Sequence, residues 1–277
     1  MIWRLLGRQG GGLALVILSL GVVMAAFAGS HQDRVTGQTV NNFLNPGTLI
    51  QVATDTSFFA IMAVGMMVVI ISGGIDLSVG SIYALSGVMS ALAMRALGST
   101  SPLIAATVCV GTGVLAGLAN GTLISRLGVH PFIITLGTMW VYRGVAFVTT
   151  KAQSILVPEQ LTQFAKANLG LRQDLYPVPM LVMFLMTIVG FLLLTRTVWG
   201  RRVFAIGGNV EASRYAGVPI TRVLTGVYVF SGLTAGLAAF LGSSFYGSAS
   251  SGDAQGYELF VIASAVVGGA SLSGGKG

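Results

Sequence analysis

Residues 72 to 81 read SGGIDLSVGS and interrupt a long apolar segment with two adjacent glycines and one carboxylate, Asp76. Glycine weakens a helix, and an ionised side chain in hydrocarbon is costly unless it is paired or hydrated. A similar sequence, GGASLSGG, is found at residues 268 to 275, so the pattern G-G-x-x-L-S-x-G occurs twice. A repeated interruption of this kind predicts two helices that break inside a membrane bundle, with the freed backbone groups enclosed by protein.

The composition places the chain among integral membrane proteins. Of its 277 residues, 54% are hydrophobic and only 8% are charged, whereas about 25% are charged in a soluble domain. We therefore predict an all-α, polytopic membrane protein in which residues 1–277 form a single transmembrane domain. The net charge of +7 is explained by topology and by anionic membrane lipids, so nucleic acid is not an expected partner. The one cysteine, Cys109, and the two histidines predict neither a disulfide framework nor a metal site.

About eight apolar segments approach the length of ~20 residues that a bilayer requires. They lie at Gly12–Ala28, Ser57–Ile71, Gly80–Leu97, Leu103–Ser125, Phe132–Val148, Val178–Leu194, Val223–Leu241 and Leu259–Val267. The second and the eighth segments are short, and each runs directly into a glycine motif. The residues expected to break these helices are Gly73, Gly74, Gly80, Gly268, Gly269 and Gly275.

Basic residues favour a cytoplasmic N-terminus, because loops on that side of a membrane are enriched in lysine and arginine. In this orientation the inner loops hold Arg4, Arg8, Arg126, Arg196, Arg201, Arg202, Arg214 and Arg222. The outer loops hold Arg34, Arg95, Lys151, Lys166 and Arg172. The first apolar segment lacks a convincing small-residue cleavage site, so we interpret it as a retained helix and not as a signal peptide.

The loop at residues 197–222 contains a short helix pattern at residues 209 to 217. Asn209 is a good N-cap, and Glu211 suits the positive end of the helix dipole. Gly217 can terminate the helix in a left-handed conformation, and Pro219 blocks its continuation. From these residues alone, the segment is an ordinary capped helix in a cytoplasmic loop.

Four blocks carry a family resemblance that spans almost the whole chain. They are SGGIDLSVGS at 72–81, NGTLISRLGVHPFIITLGTM at 120–139, GRRVFAIGGNVEASRYAGV at 200–218 and GYELFVIASAVVGGASLSGG at 256–275. Together they resemble the permease subunits of bacterial ABC importers for ribose, xylose, galactose and similar monosaccharides. The resemblance implies an inner-membrane protein that pairs with a second permease copy or a paralogue. It also implies a cytoplasmic pair of ABC ATPase subunits and a periplasmic sugar-binding protein as partners.

The resemblance further implies that the short helix couples the permease to its ATPase during alternating access. The coupling residues would be Asn209, Glu211, Ala212, Arg214 and Gly217. The chain would bind no cofactor and catalyse no reaction, with ATP and magnesium held by the partner. Its nearest approach to a phosphate-binding loop, ASLSGGKG at 270–277, lacks the first glycine and the final serine or threonine of that motif.

A neutral sugar offers hydroxyl groups, so its pathway needs small polar side chains. The candidates are Asp76, Ser78, Ser81, Asn120, Thr138, Ser271 and Ser273. Asp76 has an alternative role as the cap of a helix that begins near Leu77. Arg143 lies within an apolar segment and must pair, snorkel or face water, and Asp76 is one candidate partner.

The sequence leaves two alternatives open for each of two regions, the outer segments and a stripe of glycines. The outer loop at 150–177 contains a plausible amphipathic helix, and with residues 247–257 it would receive the binding protein or serve as a plain linker. Gly113, Gly117 and Gly121 have the spacing of closely packed helices, against either a partner subunit or the same chain. His130, beside a proline, is expected to mark a helix boundary.

Two other functional classes compete with an ABC permease. An ion-gradient-driven secondary sugar carrier would also show paired broken helices, but it gives the helix around Glu211 no purpose. An intramembrane enzyme would need a constellation of catalytic side chains, which the sequence does not show. Because permeases of the family continue with further helices beyond the second glycine motif, we expect the chain to be truncated at Gly277. The identity of the sugar is not readable from these residues.

Overall fold

The structure is a computed structural model that describes residues 8–32, 37–170 and 176–277. The outer-loop residues Arg34 and Arg172 and the N-terminal residue Arg4, used above for orientation, lie outside the described residues. The helices are α1 Arg8–Phe27, α2 Pro46–Ile71, α3 Val79–Leu97, α4 Pro102–Leu127, α5 Pro131–Thr150, α6 Glu159–Ala165, α7 Pro177–Arg196, α8 Val198–Gly208, α9 Val210–Tyr215, α10 Ile220–Tyr246 and α11 Tyr257–Val267.

Four very short strands complete the described elements. Strands β1 Ser30–Gln32 and β2 Thr39–Asn41 pair antiparallel after the first helix. Strands β3 Ile155–Leu156 and β4 Ser248–Ala249 pair antiparallel between two loops that are far apart in sequence. The fold is therefore all-α, as predicted.

Within the described residues, six helices are long and apolar enough to cross a membrane, namely α2, α3, α4, α5, α7 and α10. Two of the eight predicted segments form shorter apolar helices, Leu15–Phe27 within α1 and Tyr257–Val267. The prediction for the second segment was wrong, because its helix does not begin at Ser57 but eleven residues earlier, at Pro46. Asn45 caps this helix by accepting a hydrogen bond from Gly47 N, and proline suits its first position. The polar residues that suggested a loop are thus the first turns of a 26-residue helix.

Helix α10 lies at the centre of the bundle and packs against α4, α2 and α3. Its contact with α4 depends on glycines that allow the two backbones to approach closely. A Cβ atom added to Gly113 or Gly117 would collide with the carbonyl oxygens of Gly232 and Tyr228. Gly121 meets Thr225 Cα in the same way, at 2.7 Å from such an added atom. The glycine stripe therefore packs within the chain, which resolves the alternative that the sequence left open.

The structure corrects the predicted content of the loop at 197–222. The sequence pattern indicated one short helix, but the loop holds two, α8 and α9. Helix α8 was missed because Gly200, Gly207 and Gly208 disfavour a helix in isolation. Its available signal was Thr197, whose hydroxyl accepts a hydrogen bond from Gly200 N at 3.0 Å and so caps the helix.

Candidate functional site

The first glycine motif forms a tight turn between α2 and α3. Ser72 N and Gly73 N donate to the last carbonyls of α2, on Val68 and Ile70. Gly73 has φ of +87°, a conformation that favours glycine because it has no Cβ. The chain then leaves the helix and enters α3 at Val79. The predicted helix break is therefore present, and its residues from Asp76 to Ser78 are buried.

Asp76 organises the polar interior of this turn. Its Oδ1 accepts hydrogen bonds from Ser78 N at 3.0 Å and from the Ser78 hydroxyl at 2.6 Å. Its Oδ2 accepts from the Ser231 hydroxyl on α10, at 2.8 Å. The side chain has no solvent exposure. The expected capping role of Asp76 is wrong, because the N-cap of α3 is Ser78 and no side chain caps the first turn. Asp76 instead closes the turn that precedes α3 and ties it to the central helix.

The network continues from the turn to two further helices. Asn120 on α4 donates through Nδ2 to the Ser78 hydroxyl at 2.8 Å. Tyr142 on α5 donates its hydroxyl to Asn120 Oδ1 at 3.0 Å and to Ala116 O at the same distance. Buried polar groups stabilise a unique packing when every member has a partner. The first glycine motif therefore fixes the relative positions of α3, α4, α5 and α10.

Three of the residues predicted along the pathway, Asp76, Ser78 and Asn120, meet in this network, and Ser81 lies one turn further along α3, donating to Ser78 O at 2.7 Å. Thr138 donates to Thr135 O on its own helix at 3.3 Å, and it borders the network because its side chain contacts Tyr142 one turn further along α5. The sequence analysis missed Ser231 and Tyr142, because an isolated hydroxyl in an apolar helix carries no signal of its distant partner.

The suggested pairing of Arg143 with Asp76 is wrong. Arg143 Nη1 instead donates to the carbonyl oxygens of Ser251 and Asp253, each at 2.7 Å. These residues belong to the loop between α10 and α11, whose Ala254 O contacts Gly80 in the first turn of α3. Arg143 therefore holds this loop against α5.

The second glycine motif lies directly against the first. Helix α11 ends at Val267. In the turn that follows, Gly275 N donates a hydrogen bond at 2.9 Å to the carbonyl oxygen of Ile71, which is the last residue of α2. The predicted pathway residues of this motif, Ser271 and Ser273, are respectively half-buried and exposed and do not join the Asp76 network. The two copies of the repeat thus meet through backbone groups.

Helix α8 is seated at this meeting point. A Cβ atom added to Gly207 would collide with Ile71 O and would lie 2.6 Å from Gly275 N. One added to Gly274 would lie 3.1 Å from Gly73 Cα. The end of α8 therefore touches both glycine motifs, and the next helix along the chain is the short helix α9.

Helix α9 has the capping contacts that the sequence indicated. Asn209 Oδ1 accepts from Ala212 N at 2.9 Å, and Gly217 has φ of +75°. Glu211 and Arg214 form an exposed ion pair at 3.5 Å, a type of contact that adds little stability. Tyr215 is 88% exposed and was not among the predicted coupling residues. The helix thus presents charged and aromatic groups on a free surface.

At the other end of the bundle the two predicted outer segments meet. Strands β3 and β4 join residues 150–177 to residues 247–257, and Val157 N donates to Gly247 O at 3.1 Å. The predicted amphipathic helix is α6, which is shorter than the sequence suggested and buries Leu161 and Ala165. His130 was predicted to mark the start of a helix, and it caps α5 by accepting a hydrogen bond from Phe132 N at 3.3 Å.

Asp253 occupies the loop held by Arg143. Its Oδ2 accepts from Ser250 N at 2.9 Å. Burial raises the pKa of this carboxyl, while the Ser250 N–H and the Arg143 charge act in the opposite direction. Because this pKa is raised in the folded protein, Asp253 favours folding most at a pH below the ordinary aspartate pKa. That contribution is lost as the pH rises through the raised value.

Apolar spans, paired helix breaks and an enclosed polar network define a polytopic membrane transport protein. The family described as branched-chain amino acid transport system / permease component matches residues 48–275, and the chain belongs to this family. It is therefore the permease component of a transport system, a multi-pass membrane subunit distinct from the component that hydrolyses ATP. No solved structure significantly matches the chain.

Curated relatives match most of the chain. The D-allose transport system permease protein of Escherichia coli strain K12 is 35% identical over 238 residues, which are 85% of this chain and 71% of that protein. The L-arabinose ABC transporter permease protein of Azospirillum brasilense is 34% identical, over 99% of this chain and 75% of that protein. The ribose import permease protein of Bacillus subtilis strain 168 is 37% identical, over 85% of this chain and 72% of that protein.

Proposed function

We propose that this chain is the membrane subunit of an ATP-driven importer of a monosaccharide. The observation that carries the proposal is the similarity to permeases whose names specify allose, arabinose and ribose, each covering at least 85% of the chain. A periplasmic sugar-binding protein would deliver the sugar, and ABC ATPase subunits would supply the energy. A second permease copy or a paralogue would complete the pathway.

The arrangement of α8 and α9 supports coupling to an ATPase. Helix α9 is exposed, and α8 links it to the point where both glycine motifs meet. A displacement of α9 by a partner would therefore act on the ends of α2 and α11. Packed helices move as rigid bodies, so this route would tilt the helices around the pathway during alternating access.

The proposed orientation places α9 in the cytoplasm and the β3–β4 pair outside. It rests on the arginines of the 196–222 region, because the positive-inside rule counts basic residues close to the ends of the spans. In this orientation β3, β4 and α6 form the surface that receives the binding protein. Impermeant thiol labelling of Thr100→Cys in intact cells checks the orientation, since this exposed residue would react from outside and Arg202→Cys would not.

Sugar uptake in the native cell tests the proposed function. Cells with and without the gene would be given a panel of labelled aldopentoses, aldohexoses and ketohexoses that includes D-ribose, L-arabinose and D-allose. We expect loss of the gene to abolish high-affinity uptake of at least one sugar. Depletion of ATP by arsenate should stop that uptake, whereas a protonophore at preserved ATP should not.

Two results would contradict this proposal. Unchanged uptake of every sugar in the deletion strain would exclude a monosaccharide as the transported substrate. Uptake that survives ATP depletion and stops with the protonophore would indicate an ion-gradient-driven carrier instead.

A further inference from the structure

A cavity of about 350 Å³ lies between α3, α10, α11 and the loop that joins the last two helices. Its volume is in the range of about 300–1,000 Å³ that is typical of small-molecule sites. One of its lining residues, Ala254, lies against the first glycine motif, since a Cβ atom added to Gly80 would be 2.5 Å from Ala254 O. Its lining includes Tyr83, Gly242, Ser243, Tyr246, Asp253 and Tyr257.

The chemistry of this lining suits a neutral, hydroxyl-rich ring. Three tyrosines provide aromatic surface, and serine, aspartate and glutamine side chains provide hydrogen-bonding groups. None of the lining residues is a lysine or an arginine, so a ligand carboxylate would find no side-chain cation. None is a leucine, isoleucine or valine either, so a branched aliphatic side chain would find no matching surface. The lining therefore favours a sugar over a branched-chain amino acid, although the family description names the latter.

Tyr83 is the most enclosed of the three tyrosines that line this cavity. The side chain is only 6% exposed, and its hydroxyl makes no hydrogen bond to any residue in the described parts of the chain. This hydroxyl is therefore free to donate a hydrogen bond to a ligand. The hydroxyl lies directly against Gly242 on α10, because a Cβ atom added there would collide with it. The absence of a side chain at Gly242 thus makes room for the Tyr83 hydroxyl in the cavity wall.

The remaining wall is held in place from outside. Arg143 binds two carbonyl oxygens of the loop, and Asp253 Oδ2 accepts from Ser250 N. The carboxyl of Asp253 keeps its second oxygen for a ligand. Tyr257 packs against Phe59, with ring centroids 4.3 Å apart and the ring planes tilted by 37°, so its ring is held in orientation. These contacts give the cavity a formed shape without a ligand.

We infer that this cavity is a binding subsite for a monosaccharide, in which the Tyr83 hydroxyl and the Asp253 carboxyl bind sugar hydroxyls and the tyrosine rings pack against the sugar ring. The inference rests on the proposed function, since it names where the imported sugar first binds the permease. It places the subsite between Ser248 of strand β4 and the first turns of α3. The sugar would pass from there toward the glycine motifs.

Cysteine protection tests the subsite. Ser243→Cys lies inside the cavity and Thr100→Cys lies in an exposed turn outside it, both in a Cys109→Ala background. Membranes from native cells that carry each variant with its partner subunits would be treated with N-ethylmaleimide, which crosses membranes, so the result does not depend on orientation. The probes are D-ribose, L-arabinose, D-allose and whichever panel sugar the wild type imports, with mannitol as a control polyol.

We expect the imported sugar to slow labelling of Ser243→Cys and to leave labelling of Thr100→Cys unchanged, with no effect of mannitol. Full labelling at both positions, or no labelling of Ser243→Cys in a variant that still imports sugar, would overturn the subsite while leaving the proposed function intact. If the wild-type gene supported uptake of no sugar in the panel, that result would instead contradict the proposed function.

A second pair of variants covers the case in which Ser243→Cys does not fold. Tyr83→Phe removes only the hydroxyl, and Tyr176→Phe is its matched control outside the cavity. We expect Tyr83→Phe to raise the sugar concentration for half-maximal uptake by about two- to tenfold, the value of one neutral hydrogen bond. Tyr176→Phe should not change it. Equal values for Tyr83→Phe and the wild type would overturn the role of this hydroxyl.

Discussion

Asp76 shows how one buried carboxylate can join two elements through three hydrogen bonds. It accepts hydrogen bonds from the backbone and side chain of Ser78 and from Ser231 on α10. The sequence placed an acidic residue beside a glycine pair, which indicated a cap, but it could not show the bond to a residue 155 positions away. The charge is expensive to bury, so its three donors are what make the position tolerable.

Substitution of Asp76 tests this arrangement. Asp76→Leu leaves three donors without an acceptor, and we expect the free energy of unfolding to fall by about 3 kcal/mol. Asp76→Asn keeps one oxygen for Ser78, and the Ser231 hydroxyl can turn to accept from the amide, so we expect a loss of about 1 kcal/mol or less. Thermal unfolding in detergent would measure both variants. Equal losses would show that the negative charge, and not the hydrogen bonds, holds the turn.

At the scale of single elements, α4 and α10 pack through glycines, with the two backbones in direct van der Waals contact. Gly113 and Gly232 each face the carbonyl oxygen of the other. Because lipid is as apolar as a leucine side chain, close van der Waals packing is what holds such helices together. The stripe could be read from its spacing, whereas its partner could not.

Gly117→Ala and Gly111→Ala form a matched pair on α4. A methyl group at Gly117 would collide with Tyr228 O, whereas one at Gly111 meets nothing within 4 Å. We expect Gly117→Ala to destabilise the protein by about 1–3 kcal/mol, as overpacking does. Gly111→Ala should be neutral or slightly stabilising, because alanine favours a helix. Thermal unfolding of the two variants in detergent is the measurement, and similar midpoints would argue against the tight contact.

Helix α9 depends on its cap, because six residues are too few to hold a helix by propensity alone. We expect Asn209→Ala to destabilise α9 by about 1 kcal/mol, while Asn209→Asp retains an acceptor for Ala212 N. Hydrogen exchange of residues 210–215 would measure the opening of the helix. We expect about fivefold faster exchange in Asn209→Ala, and unchanged exchange would show that packing on α8 is sufficient.

At the scale of the whole molecule, the end of α8 is the point where the proposed driving helix reaches the membrane bundle. Gly207 and Gly208 are adjacent but have different surroundings. A methyl group at Gly207 would collide with Ile71 O, whereas one at Gly208 meets nothing within 4 Å. The two positions therefore separate contact with the motifs from the helix propensity of the segment.

We expect Gly207→Ala to reduce sugar uptake at least about tenfold, because displacement of α8 by even ~1 Å misplaces what it positions, and Gly208→Ala to retain uptake. ATP hydrolysis by the assembled complex should persist in Gly207→Ala but lose its dependence on the binding protein. Uptake measured alongside ATP hydrolysis in proteoliposomes distinguishes this loss of coupling from simple misfolding. Normal uptake by Gly207→Ala would exclude α8 as the link.

The sequence by itself determined the class of the protein, the main spans and the two breaks. Apolar runs of bilayer length, paired glycine motifs and the cap residues at Asn209 and Gly217 act locally, so their signals are visible in one dimension. The start of α2 and the existence of α8 were not visible, because polar residues and glycines in those segments weaken the local signal. Both helices form because caps and neighbouring helices compensate for that weakness.

Only the tertiary structure decided which groups meet. It brought the second glycine motif to Ile71, seated Gly207 between the two motifs, and gave Arg143 the loop carbonyls in place of Asp76. It also brought Tyr83 together with residues between Gly242 and Tyr257 to form the tyrosine-lined cavity, which no sequence motif marks. The physical reason is that hydrogen bonds and steric contacts depend on distances in space, and helix packing sets these distances between residues that have no fixed spacing along the chain.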